Sequence, residues 1–189
     1  MEAKDPKSLA AEARKKMEGA IEHLRRELAG VRTGRASVAL LDPVHVDAYG
    51  ASMPLNQVAS LSIPEPTVIV AQPFDPSLLA AVEKAIRAAN LGLNPSNDGK
   101  LVRVPLPPLT DERRKELSKV VHKLAEEARN AVRQVRRDAN DRLKKMLKDH
   151  AISEDDERRA LDEMQKLTDQ QIALIEDLQA KRDADLLTR

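Results

Sequence analysis

Apolar residues recur at spacings of three and four in three separate stretches of the chain. Leu9, Ala13, Met17, Ala20, Leu24, Leu28 and Val31 draw the first stripe. Leu117, Val121, Leu124, Ala128, Val132, Val135, Ala139, Leu143 and Met146 draw the second, and Leu161, Met164, Leu167, Ile172, Ile175 and Leu178 the third. This spacing gives a helix one apolar face and leaves the rest of its surface charged. Each stretch has a start signal. Asp5 precedes Pro6, Thr110 precedes Asp111 and Glu112, and Ser153 precedes Glu154, Asp155 and Asp156, so each helix begins with a capping side chain, a first-turn proline or acidic residues at its positive end. The second helix is expected to run from Thr110 to His150, about 60 Å at 1.5 Å per residue. Stripes this narrow need partners, and the short link after His150 makes the last two helices antiparallel neighbours. A three-helix bundle completed by the N-terminal helix satisfies all three faces.

The stretch between the first two helices follows a different pattern. Ten of the eleven prolines fall between residues 43 and 108, which excludes long helices there. Val44, Val46 and Ala48 alternate with His45, Asp47 and Tyr49, and Ala59, Leu61 and Ile63 alternate with polar neighbours, as in half-buried strands. Thr67 to Ala71 reads as a more buried strand. Asp75 and Pro76 open a helix through Leu79, Val82 and Ile86 that Gly92 can close, and Asn97, Asp98 and Gly99 mark a turn into a strand from Leu101 to Val104. The fold class is therefore α+β: a bundle of residues 1–31 and 106–189, with a small β/α/β domain of residues 32–105 inserted.

An inserted domain is entered and left by two chain crossings. Arg32, Thr33, Gly34 and Arg35 form one, made permissive by glycine; Pro105, Leu106, Pro107 and Pro108 form the other, made stiff by proline. The combination suggests a hinge of fixed reach, with a rigid boundary as the alternative.

Composition narrows the function. Of 189 residues only Tyr49 and Phe74 are aromatic, so the stacking platforms of single-strand RNA binders are missing and contact with nucleic acid must be mostly electrostatic. Without cysteine there is no disulfide framework, thiolate nucleophile or zinc knuckle, and a reducing compartment fits. No apolar run approaches the roughly 18 residues of a membrane span, and the start, MEAKDPKSLAAEARKK, is too charged for a signal peptide and too acidic for a transit peptide. The expectation is a soluble, cytoplasmic, monomeric protein. Gly92 to Lys100 superficially suggests a phosphate loop, but six residues separate the glycines and Leu101 stands where a hydroxyl would hold magnesium. The acidic run Glu154 to Glu157 lacks the alternation and central glycine of a calcium loop. His23, His45, His122 and His150 are scattered. Neither enzymatic activity nor a metal or cofactor of the chain's own is expected.

The near-neutral total of 32 basic and 31 acidic side chains hides an asymmetry. Residues 111–148 carry 13 basic and 7 acidic side chains, residues 149–189 carry 6 and 12. Projected at 100° per residue from Val132, Arg129, Arg133, Arg136, Arg137, Lys115, Lys119, Lys144 and Lys148 fall between about 40° and 160°, and from Lys115 onward Glu126 is the one acid among them. Glu116, Glu127, Asp138 and Asp141 lie on the other flank. A row of arginines suits phosphate, because the guanidinium fork matches its oxygens. An equally simple reading has these arginines reaching across to the acidic last helix.

Six segments resemble those of bacterial ribosome recycling factors, in family order: GVRTGRAS (residues 30–37), LGLNPSNDG (91–99), VPLPPLTDERRKEL (104–117), RNAVRQVRRDAND (129–141), ISEDD (152–156) and QKLTD (165–169). The resemblance implies an L-shaped molecule similar in outline to transfer RNA. It implies binding to the post-termination ribosome and, with elongation factor G and GTP, promotion of its dissociation into subunits and release from messenger RNA. The partners implied are the large ribosomal subunit, its ribosomal RNA and elongation factor G, which alone uses the nucleotide. Arg129, Arg133 and Arg136 match the family's ribosomal RNA contacts, with Arg137 alongside; Arg32 and Arg35 match positions near the elbow. Ala48 departs from the pattern, standing where many relatives have a second tyrosine. The rival function is a coiled-coil adaptor that binds protein helices and no RNA.

Overall fold

The computed structural model describes residues 5–187. The chain divides into two compact units: one holds the chain up to Arg32 and again from Glu112 to Leu187, the other is Thr33–Asp111.

The first unit consists of helices α1 (Pro6–Ala29), α4 (Asp111–Lys148) and α5 (Glu154–Leu187); the elements between them belong to the second. Asp5 caps α1 by accepting from Ser8 N at 2.9 Å. Ser153 and Asp156 cap α5 reciprocally: Ser153 Oγ accepts from Asp156 N at 3.1 Å, and Asp156 Oδ2 accepts from Ser153 N at 3.3 Å. Cross-helix bonds give the directions. Arg142 on α4 reaches Glu12 on α1, and Arg136 on α4 reaches Gln165 on α5, so α4 runs antiparallel to both. Arg182 near the end of α5 donates to the carbonyls of Ala29 and Val31 at the end of α1, so these two helices run parallel. Their backbones approach closely, whereas α4 stands farther from both.

The buried face of α1 comprises Leu9, Ala13, Met17, Ile21, Leu24 and Leu28. Ile21, absent from the expected stripe, is buried, while Ala20 is only half-buried. On α4 the core positions are Leu117, Val121, Ala125, Ala128, Val132, Ala139 and Leu143. On α5 the pattern misleads more: Leu161, Ile172 and Leu178 are half-buried, and Thr168 and Gln171 lie inside. Thr168 satisfies its hydroxyl by donating to Met164 O at 2.8 Å.

The second unit carries an antiparallel hairpin of β1 (His45–Ala48) and β2 (Ala51–Pro54), a one-turn helix α2 (Leu55–Val58), and an antiparallel sheet of β3 (Ala59–Glu65), β4 (Val68–Pro73), β5 (Ser96–Asn97) and β6 (Val102–Pro105) in the order β3-β4-β6-β5. Helix α3 (Leu79–Ala88) follows a short helical turn opened by Asp75, whose carboxylate accepts from Ser77 N. Val82 and Ile86 of α3 join Leu41, Val44, Val46, Leu55, Val58, Ile69, Val102 and Val104 in the core.

Two expectations change here. Ile63 is 41% exposed, because the pairing of β3 with β4 breaks register between Ser62 and Glu65, where Pro64 has no N–H to give the ladder. Helix α3 ends before Gly92: Asn90 takes the left-handed conformation at φ 54° and turns the chain first.

Pro105 pairs with Val68, and Leu106 N donates to Thr67 O at 2.8 Å. The proline run therefore remains with the second unit, which extends to Asp111.

Candidate nucleic-acid interface

The basic flank of α4 is continuous over several turns, but its four arginines differ in their surroundings. The Arg129 side chain is only 13% exposed. Its Nη1 donates to Glu126 Oε2 at 3.0 Å and its Nη2 to Gln179 Oε1 on α5. Arg133, one turn on, is 38% exposed and lies 3.4 Å from the other oxygen of Glu126. A single carboxylate is thus shared between two guanidinium groups, which leaves an excess of positive charge. Arg136 Nη1 donates to Gln165 Oε1 on α5 at 3.3 Å. Gln165 is itself oriented by donating to Asp169 Oδ1 at 2.8 Å. Arg137 is exposed, as are Lys115, Lys119, Lys144 and Lys148.

These contacts show what the arginines meet on α5. Arg129 and Arg136 do reach across to α5, but each meets a neutral glutamine rather than a carboxylate. A glutamine oxygen orients a guanidinium without cancelling its charge. The flank is therefore a row of cations: Arg129 a largely buried strut, Arg133 and Arg136 oriented by their neighbours, and Arg137 exposed beside them. Gln165 and Gln179 escaped the sequence reading. Their signal is spacing: they lie two heptads apart on α5, as Arg129 and Arg136 lie one heptad apart on α4, so each pair recurs on one side of its helix.

The crossing residues show a different character. Gly34 has φ 76°, and a β-carbon there would meet Leu109 Cγ at 3.2 Å. Thr33 is buried, Arg32 and Arg35 are exposed, and Pro107 and Pro108 are exposed. The structure does not bring the histidines together: His45 Nδ1 lies 3.1 Å from Pro43 O, and His122 Nδ1 lies 3.3 Å from Gln179 Nε2. Among the described residues no group of three or more His, Asp or Glu side chains is placed to hold a metal ion. No helix among them is long and apolar enough to cross a membrane. A cleft of about 250 Å³ between α1 and α4 is floored by Ala20, Leu24, Leu124 and Ala128 and contains no nucleophile–base pair.

The family model for ribosome recycling factor matches residues 24–187. The ribosome-recycling factor of Rhodospirillum centenum is 56% identical over 92% of this chain and 94% of its own length. That of Symbiobacterium thermophilum is 49% identical over 96% of this chain and 98% of its own. A solution structure of ribosome recycling factor superposes with a TM-score of 0.74 at 42% identity, covering 99% of both chains. A second structure, of models for the T. thermophilus ribosome recycling factor and the E. coli elongation factor G bound to the E. coli post-termination complex, gives a TM-score of 0.66 at 47% identity, covering 97% of this chain and 100% of that one.

Proposed function

This chain belongs to the ribosome recycling factor family, and on that premise we propose that it docks on ribosomal RNA of the large subunit through Arg133, Arg136 and Arg137, with Arg129 bracing the row. In the cytoplasm, acting with elongation factor G and GTP, it promotes dissociation of the post-termination ribosome into subunits and release from messenger RNA. The observation that carries this reading is the pairing of Arg136 with Gln165: a guanidinium held in place by a neutral partner keeps its charge for phosphate.

The mechanism follows from stiffness and charge. Helix α4 spans 38 residues, about 57 Å, and is braced along its length by α1 and α5. A braced rod transmits force applied at one end to contacts made along it. Arg32, Thr33, Gly34 and Arg35 on one crossing and Pro105, Pro107 and Pro108 on the other act as the hinge about which elongation factor G moves the small unit. Nucleotide is bound and hydrolysed by that factor, and the chain itself holds no cofactor. The chain works as a monomer.

Sedimentation of purified post-termination ribosomes tests this reading. Wild type with elongation factor G and GTP converts ribosomes to subunits, and Arg136→Ala does so only at concentrations raised at least about tenfold, since a hydrogen bond to a charged group contributes about 1.5–3 kcal/mol. Equal splitting by both proteins would remove Arg136 from the interface. Absence of splitting by either, with all components active, would favour a coiled-coil adaptor instead.

A further inference from the structure

Between Lys119 and Arg129 the basic flank of α4 carries a residue that a count of charges passes over. Projected at 100° per residue from Val132, His122 falls at about 80°, inside the arc of the arginines and lysines. It stands seven residues before Arg129, about 10 Å along the axis, and is exposed. Hydrogen bonds between α4 and α5 fix where its proton sits. A guanidinium only donates, so Arg129 Nη2 donates to Gln179 Oε1. The amide is thereby oriented, its oxygen toward Arg129 and its nitrogen toward His122, with Gln179 Nε2 3.3 Å from His122 Nδ1. An amide nitrogen also only donates, so Nδ1 of the imidazole accepts. A neutral imidazole whose Nδ1 accepts carries its hydrogen on Nε2. That nitrogen lies across the ring from Gln179 and has no hydrogen-bond partner among the described residues. The inner end of the chain is anchored, since Arg129 is largely covered and Gln179 half-buried.

We propose that His122 is a further RNA-contacting residue of the flank, presenting the N–H of Nε2 to a phosphate oxygen as an uncharged donor. The inference rests on the functional reading above and adds to it a residue of a different chemical kind. Lys115, Lys119, Arg133, Arg136 and Arg137 share its side of the helix, so whatever docks there is anionic and rich in acceptors. An outward N–H without a partner in the protein meets such an acceptor directly, and Gln179 settles the tautomer before binding. Gln179 thus orients two members of the flank at once, Arg129 through its oxygen and His122 through its nitrogen.

A neutral donor and a cation leave different marks on salt dependence. Losing a cation makes the slope of log affinity against log salt shallower by nearly one unit, whereas losing a neutral hydrogen bond lowers affinity and leaves the slope unchanged. The test measures affinity of the full chain for large ribosomal subunits over a salt series at pH 8, for wild type, His122→Ala, His122→Asn and His122→Gln. His122 is exposed, so none of these substitutions disturbs the core. The glutamine amide reaches the level of Nε2, the asparagine amide only that of Nδ1. The expected result is affinity weakened about fivefold for His122→Ala and His122→Asn at unchanged slope, and close to wild type for His122→Gln. Ring-nitrogen NMR of the chain alone should show the hydrogen of the neutral imidazole on Nε2. Wild-type affinity in His122→Ala, a shallower slope in that variant, a glutamine variant no better than alanine, or a hydrogen on Nδ1 would each overturn the proposal. Arg136→Ala, measured alongside, separates the two claims. If it binds as wild type does, the functional reading falls; if it is weakened while His122→Ala is not, only the assignment of His122 falls.

Discussion

Arg129 and Glu126 lie one turn apart on α4 with 3.0 Å between Nη1 and Oε2, and Glu126 turns its second oxygen toward Arg133. With its side chain 13% exposed, Arg129 contributes to the bundle itself, in contrast to the outward Arg137. Arg129→Ala should therefore lower unfolding stability by roughly 1.5 kcal/mol, the lower end for a hydrogen bond to a charged group. Arg137→Ala should change it by less than about 0.5 kcal/mol. Urea unfolding of the two variants checks the distinction; equal stabilities would mean that Arg129 is no strut.

Arg182 joins the last turns of α5 to the end of α1, donating to Val31 O at 2.9 Å and Ala29 O at 3.4 Å. These carbonyls have no helical partner because the helix stops at Ala29. In Arg182→Ala the final turn of α1 should fray, with faster amide exchange from Leu24 to Val31 and unaltered exchange near Leu9. Uniform acceleration along α1 would instead indicate loss of global stability.

Gln171 is 6% exposed, and its side-chain oxygen has no hydrogen-bond partner. A buried acceptor left unsatisfied costs about 1–3 kcal/mol. Gln171→Leu should raise stability by about 1 kcal/mol, seen as a higher denaturation midpoint at unchanged slope. A lower midpoint would show that the glutamine is satisfied in solution.

Two helix caps predict an acid limit for the bundle. The Ser8 backbone N–H, followed by its hydroxyl, lowers the pKa of Asp5; the Ser153 hydroxyl, followed by its backbone N–H, lowers that of Asp156. A carboxyl whose pKa is lower folded than unfolded stabilises the fold above its unfolded value, about 3.9, and the stabilisation is lost as pH falls through the folded value. Asp5→Asn with Asp156→Asn should flatten the stability profile between about pH 5 and 2. A profile that keeps its full steepness would place the responsible groups elsewhere.

The three helices were readable because a 3.6-residue period survives in Leu9 to Val31, Leu117 to Met146 and Leu161 to Leu178. The basic flank was readable for the same reason. The division of labour within it was not, since only the approach of α5 decides that Arg129 meets Gln179 and is covered, while Arg137 is not. In the small unit β2 left no signal: Ala51, Ser52, Met53 and Pro54 show no alternation, and the strand exists because the left-handed pair Tyr49 and Gly50 folds it back on β1. Thr168 and Gln171 broke the α5 stripe because burial follows position on the helix, whatever the side chain's polarity.

The central claim, that positioned arginines on α4 bind ribosomal RNA, is tested most directly by the salt dependence of affinity for large ribosomal subunits. Each phosphate contact contributes nearly one unit to the slope of log affinity against log salt. Arg133→Ala, Arg136→Ala and Arg137→Ala combined should weaken binding and make the slope shallower by about two to three units. A slope equal to that of wild type would contradict the account.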